Sequence, residues 1–262
     1  MNNEIEAIFF DVGNTLRILT ENEPHQAQAK HKIAELVGTN EDPEAFCRKL
    51  DERYKIYRKW AFANLLEASE SDLWTRWMAP DFPIERIAPL GVELTYQYRQ
   101  TKGLRVMVPN GKEVVLELHR RGYILGLISN VTTSQEIPDW LDEEGLAPYF
   151  KSVVLSSVMG IRKPDPAIYL EAAQQAGVAP ARCVYVGDNL KRDVTGTRDA
   201  RFGMVIIMID PQELTQGIIT VENKPDAIIY EFNELLKIFP ANPNVCFENI
   251  RLPLSEQKLV EP

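Results

Sequence analysis

Cysteine and long apolar runs are both scarce in this sequence. Its 262 residues contain three cysteines, Cys47, Cys183 and Cys246, which lie far apart and lack the spacing of metal ligands. We therefore expect free, buried thiols in a reducing compartment and no disulfide framework. No apolar stretch approaches the roughly 20 residues that a membrane-spanning helix needs, and residues 1–6 contain neither a basic patch nor an apolar leader. These absences predict a cytoplasmic protein.

Positive charge is also in short supply. The chain carries 38 acidic residues against 29 lysines and arginines, a formal net charge of −9 at pH 7. Non-specific binding to nucleic acid or to an anionic membrane requires clustered positive charge, so the composition argues against both partners. With 45% hydrophobic residues, the chain can bury a sizeable core. Binding of a small anion would require a local positive centre that the acidic average conceals.

Short apolar runs that favour β-structure alternate with helical stretches. These runs are residues 7–10, 123–128, 153–155, 183–186, 204–208 and 227–229. Strands that alternate with helices indicate an α/β fold built on a doubly wound parallel sheet. The first run has no strand partner nearby in the sequence, so we expect it to join the same sheet as the others.

The segment from residue 17 to residue 105 has a different character. Its charged and apolar residues interleave at three- and four-residue spacing, as in Phe46, Leu50 and Tyr54. This spacing predicts about four or five helices without a strand, broken near residues 38–43 and 79–83. The sequence thus predicts three units: a core formed by residues 1–16 and 106–240, a helical insertion at 17–105 and a C-terminal tail at 241–262.

Polar residues follow the predicted strands, at the sheet edge where parallel α/β proteins bind their ligands. The candidate site residues are Asp11, Ser129, Asn130, Lys163, Asp188 and Asp193. This set suits nucleophilic displacement at phosphorus, because a carboxylate such as Asp11 can attack a phosphoryl group and form an acyl-phosphate.

Each of the other candidates has a predicted part in that chemistry. Asp188 and Asp11 form an oxygen-rich site suited to Mg²⁺. Lys163 and Ser129 stabilise the phosphoryl oxygens. Asn130, like Lys163 and Ser129, is predicted to bind the substrate. Asp193 is predicted to orient a water on the metal.

Four segments carry a family resemblance. They are FFDVGNTL at residues 9–16, ISN at 128–130, GIRKPDP at 160–166 and VGDNLKRD at 186–193. In this order they resemble the four motifs of the haloacid dehalogenase-like hydrolase superfamily, and the helical insertion resembles its cap. The resemblance covers about residues 5 to 235. It implies a Rossmann-like core, a mobile cap closing over the site, Mg²⁺ dependence, and hydrolysis of a small phosphorylated metabolite through an aspartyl-phosphate on Asp11.

One position departs from the family pattern. Phosphatases of the superfamily usually carry a second Asp two residues after the nucleophile, as the general acid and base, and this chain has Gly13 there. The backbone carbonyl of Gly13 can still bind a metal, so Asp11, Gly13 and Asp188 are the predicted metal ligands. The side-chain proton relay is missing, which predicts weak activity or activity limited to good leaving groups.

Two other functions stay open at this point. A metal-independent 2-haloacid dehalogenase would also use Asp11 as its nucleophile, and its halide leaving group requires no acid. A catalytically silent binding or regulatory protein with the same fold would not need the missing acid at all.

Overall fold

A six-stranded parallel sheet forms the centre of the computed structural model, which describes residues 5–214 and 219–241. The strands are β1 (Ala7–Phe10), β2 (Arg17–Thr20), β3 (Leu104–Met107), β4 (Ile124–Ser129), β5 (Phe150–Leu155), β6 (Cys183–Gly187), β7 (Met204–Met208) and β8 (Ala227–Ile229). The α-helices are α1 (Glu23–Val37), α2 (Pro43–Asn64), α3 (Glu70–Asp72), α4 (Ile84–Ile87), α5 (Gly91–Gln100), α6 (Gly111–Arg120), α7 (Glu136–Glu143), α8 (Ser156–Met159), α9 (Pro166–Ala176), α10 (Leu190–Asp199), α11 (Pro211–Leu214) and α12 (Leu235–Ile238).

The strand order in the sheet is β5-β4-β1-β6-β7-β8, with every neighbouring pair parallel. All six predicted strands are confirmed, and β1 joins the same sheet as the others, as expected, between β4 and β6. All four residues of β1 are fully buried, because helices cover both faces of the sheet. Phe10 belongs to the cluster that contains Val115 of α6, whereas Phe9 packs with Tyr169 of α9 on the opposite face.

The order in which strands are added to the sheet reverses at β1. From β1, the chain places β4 and then β5 on one side, and β6, β7 and β8 on the other. The crevice outside the carboxyl ends of the strands at such a switch point is the usual ligand site of doubly wound sheets. This topology brings the loops after β1, β4 and β6 together.

The helices between residues 23 and 100 surround a hydrophobic cluster of their own. Its buried members include Ile33, Phe46, Leu50, Trp74 and Leu94. The predicted breaks are confirmed, since α1 ends at Val37 before α2 begins at Pro43, and α4 begins at Ile84.

The prediction that residues 17–105 contain no strand is wrong. β2 and β3 pair antiparallel, with Arg17 opposite Met107 and Thr20 opposite Leu104. Each is only four residues long, and Leu19 in β2 is half exposed. The pattern was too short to detect, and the partners lie at opposite ends of the helical insertion. The pair forms the two-stranded connection between those helices and the core.

Other sequence-based expectations meet the structure only in part. Cys47 and Cys183 are free and buried as predicted, whereas Cys246 lies outside the described residues. The predicted tail also falls outside them, apart from residue 241. Within the described part of the chain, every helix is too short or too polar to cross a lipid bilayer.

Candidate active site

Three of the predicted site residues meet at the carboxyl edge of the sheet. Asp11 directly follows β1, Ser129 is the last residue of β4, and Asp188 directly follows β6. All three line one cavity of about 280 Å³, together with Gly13 and Asn130. The topology therefore assembles in one place residues that are up to 177 positions apart in the chain.

Asp11 is buried and held from both its backbone and its side chain. Its N–H donates to the carbonyl of Val186 at 2.8 Å, and its Oδ1 accepts from the N–H of Val12 at 2.7 Å. Its Oδ2 lies 2.8 Å from Lys163 Nζ and 2.8 Å from an Nη of Arg192. Two cations therefore contact the carboxylate of the residue predicted to be the nucleophile.

Lys163 is fully buried beside Asp11. Its ammonium also lies 3.6 Å from Asp193 Oδ1 and donates to the hydroxyl of Tyr185, whose ring centroid is 5.1 Å away. The side chain of Asn130 accepts from the N–H of Lys163 at 2.8 Å and donates to its carbonyl at 3.0 Å. Asn130, a predicted substrate-binding residue, thus anchors the backbone of the loop that carries the lysine.

Asp11, Asp188 and Asp193 form an acidic cluster, with carboxylate oxygens within 4.8 Å of one another. Burial and the charge of Asp11 raise the pKa of Asp188. Burial also opposes the ionisation of Asp193, but Lys163 and Arg192 outweigh it and lower the pKa of that residue. The Asp193 carboxylate also accepts from the N–H of Asn189 at 3.0 Å, so it is fully paired within the protein.

Arg192 lies at the point where the three carboxylates converge. A single Nη is 2.8 Å from Asp11, 2.9 Å from Asp188 and 2.9 Å from Asp193. No part in the chemistry was predicted for Arg192, although it lies within the fourth motif. Arg192 lies in the first turn of α10, four residues after Asp188, and this short spacing was an available signal.

The start of α10 explains why Arg192 points into this cluster. Asn189 caps the helix, with its side chain accepting from the N–H of Arg192 at 2.8 Å. The first turn of α10 therefore lies beside Asp188. Despite burial, Asp11 and Asp193 raise the pKa of Arg192, so the guanidinium stays charged.

The donor set of the acidic cluster fits a hard divalent cation, because such ions prefer several carboxylate and carbonyl oxygens. The guanidinium of Arg192 now contacts the same oxygens. A cation and this guanidinium cannot occupy the same point, so a metal bound to these particular oxygens would require Arg192 to withdraw.

The loop after β1 turns back beside the same cluster. Asn14 adopts a left-handed conformation with φ of 56°, a conformation that Asn tolerates better than most residues. Its side chain donates to Asp188 at 3.2 Å. The N–H groups of Leu16 and Arg17 donate to the carbonyl of Val12 at 3.0 and 2.8 Å, and the chain then enters β2.

A second charged cluster lines the same cavity. Glu136, the first residue of α7, pairs with Arg17, Arg99 and Arg105. Burial opposes the ionisation of Glu136, but the three arginines outweigh it and lower its pKa to about 2. We call these four residues the arginine cluster. Sequence reasoning missed it, because its members come from β2, α5, β3 and α7.

Two glutamates of the helical insertion contact the core near the site. Glu67 pairs with Arg162, the neighbour of Lys163, and accepts from the hydroxyl of Ser156 at 2.6 Å. Glu70 accepts from the hydroxyl of Ser134 at 2.8 Å. The helices are therefore tied to the two core loops that follow β4 and precede α9.

The comparisons with known proteins agree with this geometry and confirm the family resemblance. A family model described as a haloacid dehalogenase-like hydrolase matches residues 5–201. A glyceraldehyde 3-phosphate phosphatase from Methanopyrus kandleri is 30% identical over 78% of this chain and 84% of that protein. A second one, from Pyrococcus furiosus, is 26% identical over 89% of this chain and 92% of that protein.

A solved structure shows the same fold. The crystal structure of a 2-haloacid dehalogenase from Pseudomonas syringae pv. Tomato matches with a TM-score of 0.63 and 21% sequence identity. The match covers 89% of this chain and 97% of that one. Because the family model spans most of the sequence, this chain belongs to the haloacid dehalogenase-like hydrolase family.

Proposed function

We propose that this protein is a Mg²⁺-dependent phosphatase that hydrolyses a small phosphomonoester through an aspartyl-phosphate on Asp11. The observation that carries the proposal is the position of Asp11, buried at the sheet edge, lining the cavity and 2.8 Å from the fully buried Lys163. The phosphatases named among its relatives support phosphorus as the atom that is attacked.

The reaction proceeds in two displacements. An Oδ of Asp11 attacks the phosphorus, and the bond from phosphorus to the substrate oxygen breaks with its electron pair on that oxygen. Water then attacks the phosphorus, the bond to Asp11 breaks, and inorganic phosphate leaves. Ser129 donates a hydrogen bond to the phosphoryl oxygens, and Lys163 disperses the charge on Asp11 and those oxygens.

The leaving oxygen receives no proton from position 13, because Gly13 has no side chain. A positioned general acid typically contributes about 10²–10⁴-fold, so alkyl phosphates are expected to react much more slowly than aryl or acyl phosphates. This feature limits the proposed activity to substrates whose leaving group is stable as an anion, or makes it weak on others.

We propose Asp11, the carbonyl of Gly13 and Asp188 as the ligands of Mg²⁺. When bound, the ion would offset the repulsion between the Asp11 carboxylate and the phosphoryl oxygens. Asp193 would support the site from behind, because the N–H of Asn189 holds its carboxylate at 3.0 Å even when Arg192 moves away.

We also propose that residues 17–105 act as a helical cap over a core formed by residues 1–16 and 106–240. The separate hydrophobic cluster of the helices supports this division, and so does the narrow strand pair that connects them to the core. The contacts of Glu67 and Glu70 with loops beside the site also support this proposal.

The test is hydrolysis of p-nitrophenyl phosphate by the wild type and by Asp11→Asn, with Mg²⁺ and with a chelator. We expect turnover that requires Mg²⁺ and falls at least about 10⁴-fold in Asp11→Asn, because removal of a nucleophile has effects of that order. Asp199→Asn is the matched control, since Asp199 is an exposed aspartate at the far end of α10. Activity that survives Asp11→Asn would contradict the proposal.

One observation favours a second candidate, hydrolytic dehalogenation of a 2-haloacid. Arg192 contacts all three carboxylates of the acidic cluster, so a side chain of the protein itself balances part of their negative charge. In that reaction Asp11 displaces halide to form an ester, which water hydrolyses to a 2-hydroxy acid. Chloride release from 2-chloropropionate in the presence of a chelator would decide for this candidate. Absence of both activities would favour a silent binding protein.

A further inference from the structure

The arginine cluster carries more positive charge than its one carboxylate can balance. Arg17, Arg99 and Arg105 all pair with Glu136, which leaves a formal excess of two positive charges. All four side chains are mostly buried, and all four residues line the cavity that also contains Asp11. Charge buried without a partner is costly, so this excess is unusual unless an anion offsets it.

The contacts show which arginines have spare donors. Arg17 and Arg99 each hydrogen-bond to Glu136, whereas the nearest approach of Arg105 to it is 3.5 Å. One Nη of Arg105 donates to the carbonyl of Arg99 at 3.1 Å. The Nε of Arg17 is buried and has no hydrogen-bond partner among the described residues. Burial and the charge of Arg99 lower the pKa of Arg105 to about 10, which shows that its positive charge is poorly compensated.

We propose that Arg17, Arg99 and Arg105 bind a second anionic group of the substrate, a carboxylate or a phosphate, while its phosphoryl group lies at Asp11. This inference rests on the proposed phosphatase function and names the class of its substrate. Arginine suits the task because its planar donors match the oxygens of carboxylates and phosphates.

The cavity sets the size of that substrate. Its volume of about 280 Å³ lies at the lower end of the range for ligand pockets, and it reaches from Asp188 to Arg105. A chain of a few carbons between the two anionic groups fits this space. Arg99 belongs to α5 of the proposed cap, and Arg17 and Arg105 belong to the strand pair that carries it. The second anion would therefore contact the cap and its connection together.

The first test measures binding without turnover. The Asp11→Asn variant is titrated in a calorimeter with 2-phosphoglycolate, with the bisphosphate of ethane-1,2-diol, and with ethyl phosphate, which lacks a second anion. A charged hydrogen-bonded pair contributes about 1.5–3 kcal/mol, so both ligands with a second anionic group should bind roughly 10–100-fold more tightly than ethyl phosphate. The tighter of the two identifies the second anion as carboxylate or phosphate. Equal dissociation constants for all three ligands would overturn the proposal.

The second test assigns the recognition to the cluster. Adding Arg105→Gln to the Asp11→Asn variant should reduce the preference for the ligands with a second anionic group about tenfold. Binding of ethyl phosphate should stay unchanged, which also shows that the variant is folded. Arg105→Lys should restore part of the preference, since it keeps the charge without the planar donors. Arg48→Gln, at an exposed arginine of α2, is the matched control. A preference that survives both Arg105→Gln and Arg99→Gln would place the second anion elsewhere and overturn the assignment.

These binding measurements separate the inference from the function on which it rests. If the wild type hydrolyses no phosphate ester but Asp11→Asn prefers the ligands with a second anionic group, the catalytic proposal fails and the anion site stands. If the wild type hydrolyses ethyl phosphate and 2-phosphoglycolate at equal rates and binds them with equal dissociation constants, the catalytic proposal stands and the anion site fails.

Discussion

The two ends of the cavity are electrostatic opposites. At one end Arg192 lies among Asp11, Asp188 and Asp193. At the other end one carboxylate, that of Glu136, lies among three arginines. The acidic end also contains Lys163, so its charges nearly cancel, whereas the arginine cluster keeps a positive excess.

This difference explains how an acidic chain can present a site for anions. The net charge of −9 describes the whole molecule. Within the cavity of about 280 Å³, the arginine cluster at one end creates a local positive potential. The acidic end suits a cation between carboxylates, and the basic end suits an anion between arginines. The two ends together favour a substrate with two anionic groups over one with a single phosphate.

The largest effect is expected from removing the single carboxylate of the arginine cluster. Glu136→Gln leaves Arg17 and its neighbours buried without their counter-charge. Breaking a buried ion pair in this way costs about 3–5 kcal/mol, so the free energy of unfolding at pH 7 should fall by that order. Urea denaturation measures it. Asp142→Asn, at an exposed position of the same helix, is the control and should change stability by less than about 0.5 kcal/mol.

The pH dependence provides an independent check on Glu136. Its pKa is lowered to about 2 in the folded state, so the stability it contributes is complete above about pH 4.5. That stability is lost as the pH falls towards 2, and the difference between wild type and Glu136→Gln should shrink over the same range. A difference that stays constant from pH 7 to pH 3 would mean that Glu136 is not the charge that holds this cluster together.

A smaller effect, on the affinity for Mg²⁺, is expected from a substitution at the acidic end of the cavity. Arg192→Gln removes the guanidinium that contacts all three carboxylates, so Mg²⁺ no longer has to displace a charged group. The dissociation constant for Mg²⁺, measured by calorimetry, should fall about tenfold or more, because charged hydrogen bonds contribute about 1.5–3 kcal/mol. Arg198→Gln is the control on the same helix, since Arg198 pairs with Asp226 outside the cavity. Weaker Mg²⁺ binding in Arg192→Gln would show that Arg192 supports the ion by orienting the carboxylates.

The two ends also differ in how far sequence could predict them. The acidic end follows from local patterns, because Asp11 and Asp188 each come directly after a buried apolar run. Parallel topology then brings these run ends together. The same reasoning predicted the six strands of the sheet.

The arginine cluster leaves no such local signal. Arg17 and Glu136 are 119 residues apart, and Arg99 and Arg105 belong to a helix and a strand whose positions depend on how the insertion folds back. The strand pair that carries Arg17 and Arg105 was itself missed. Long-range pairing of two four-residue strands depends on tertiary contacts that no short window of sequence contains.

The smallest effect is expected from adding a carboxylate to the acidic end. Gly13→Asp restores the residue type that phosphatases of this family usually carry there. The change is sterically open, since Gly13 is exposed and, apart from its own atoms and those of its two chain neighbours, no described heavy atom lies within 4 Å of the position that its Cβ would take. A positioned acid protonates the leaving oxygen, so kcat/KM for ethyl phosphate should rise by about tenfold, part of the 10²–10⁴-fold that such groups contribute. The rate with p-nitrophenyl phosphate should change little, because its leaving group needs no proton.

Gly13→Asn separates proton transfer from the other consequences of that change. The amide has nearly the same size and can contact Asp188 or a metal, but it cannot exchange a proton with the leaving group at neutral pH. A gain confined to Gly13→Asp and to the alkyl ester therefore assigns the effect to general acid catalysis. Equal gains for both esters, or a gain in Gly13→Asn, would instead mean that the side chain acts by filling the cavity, and the missing acid would no longer explain the expected preference for good leaving groups.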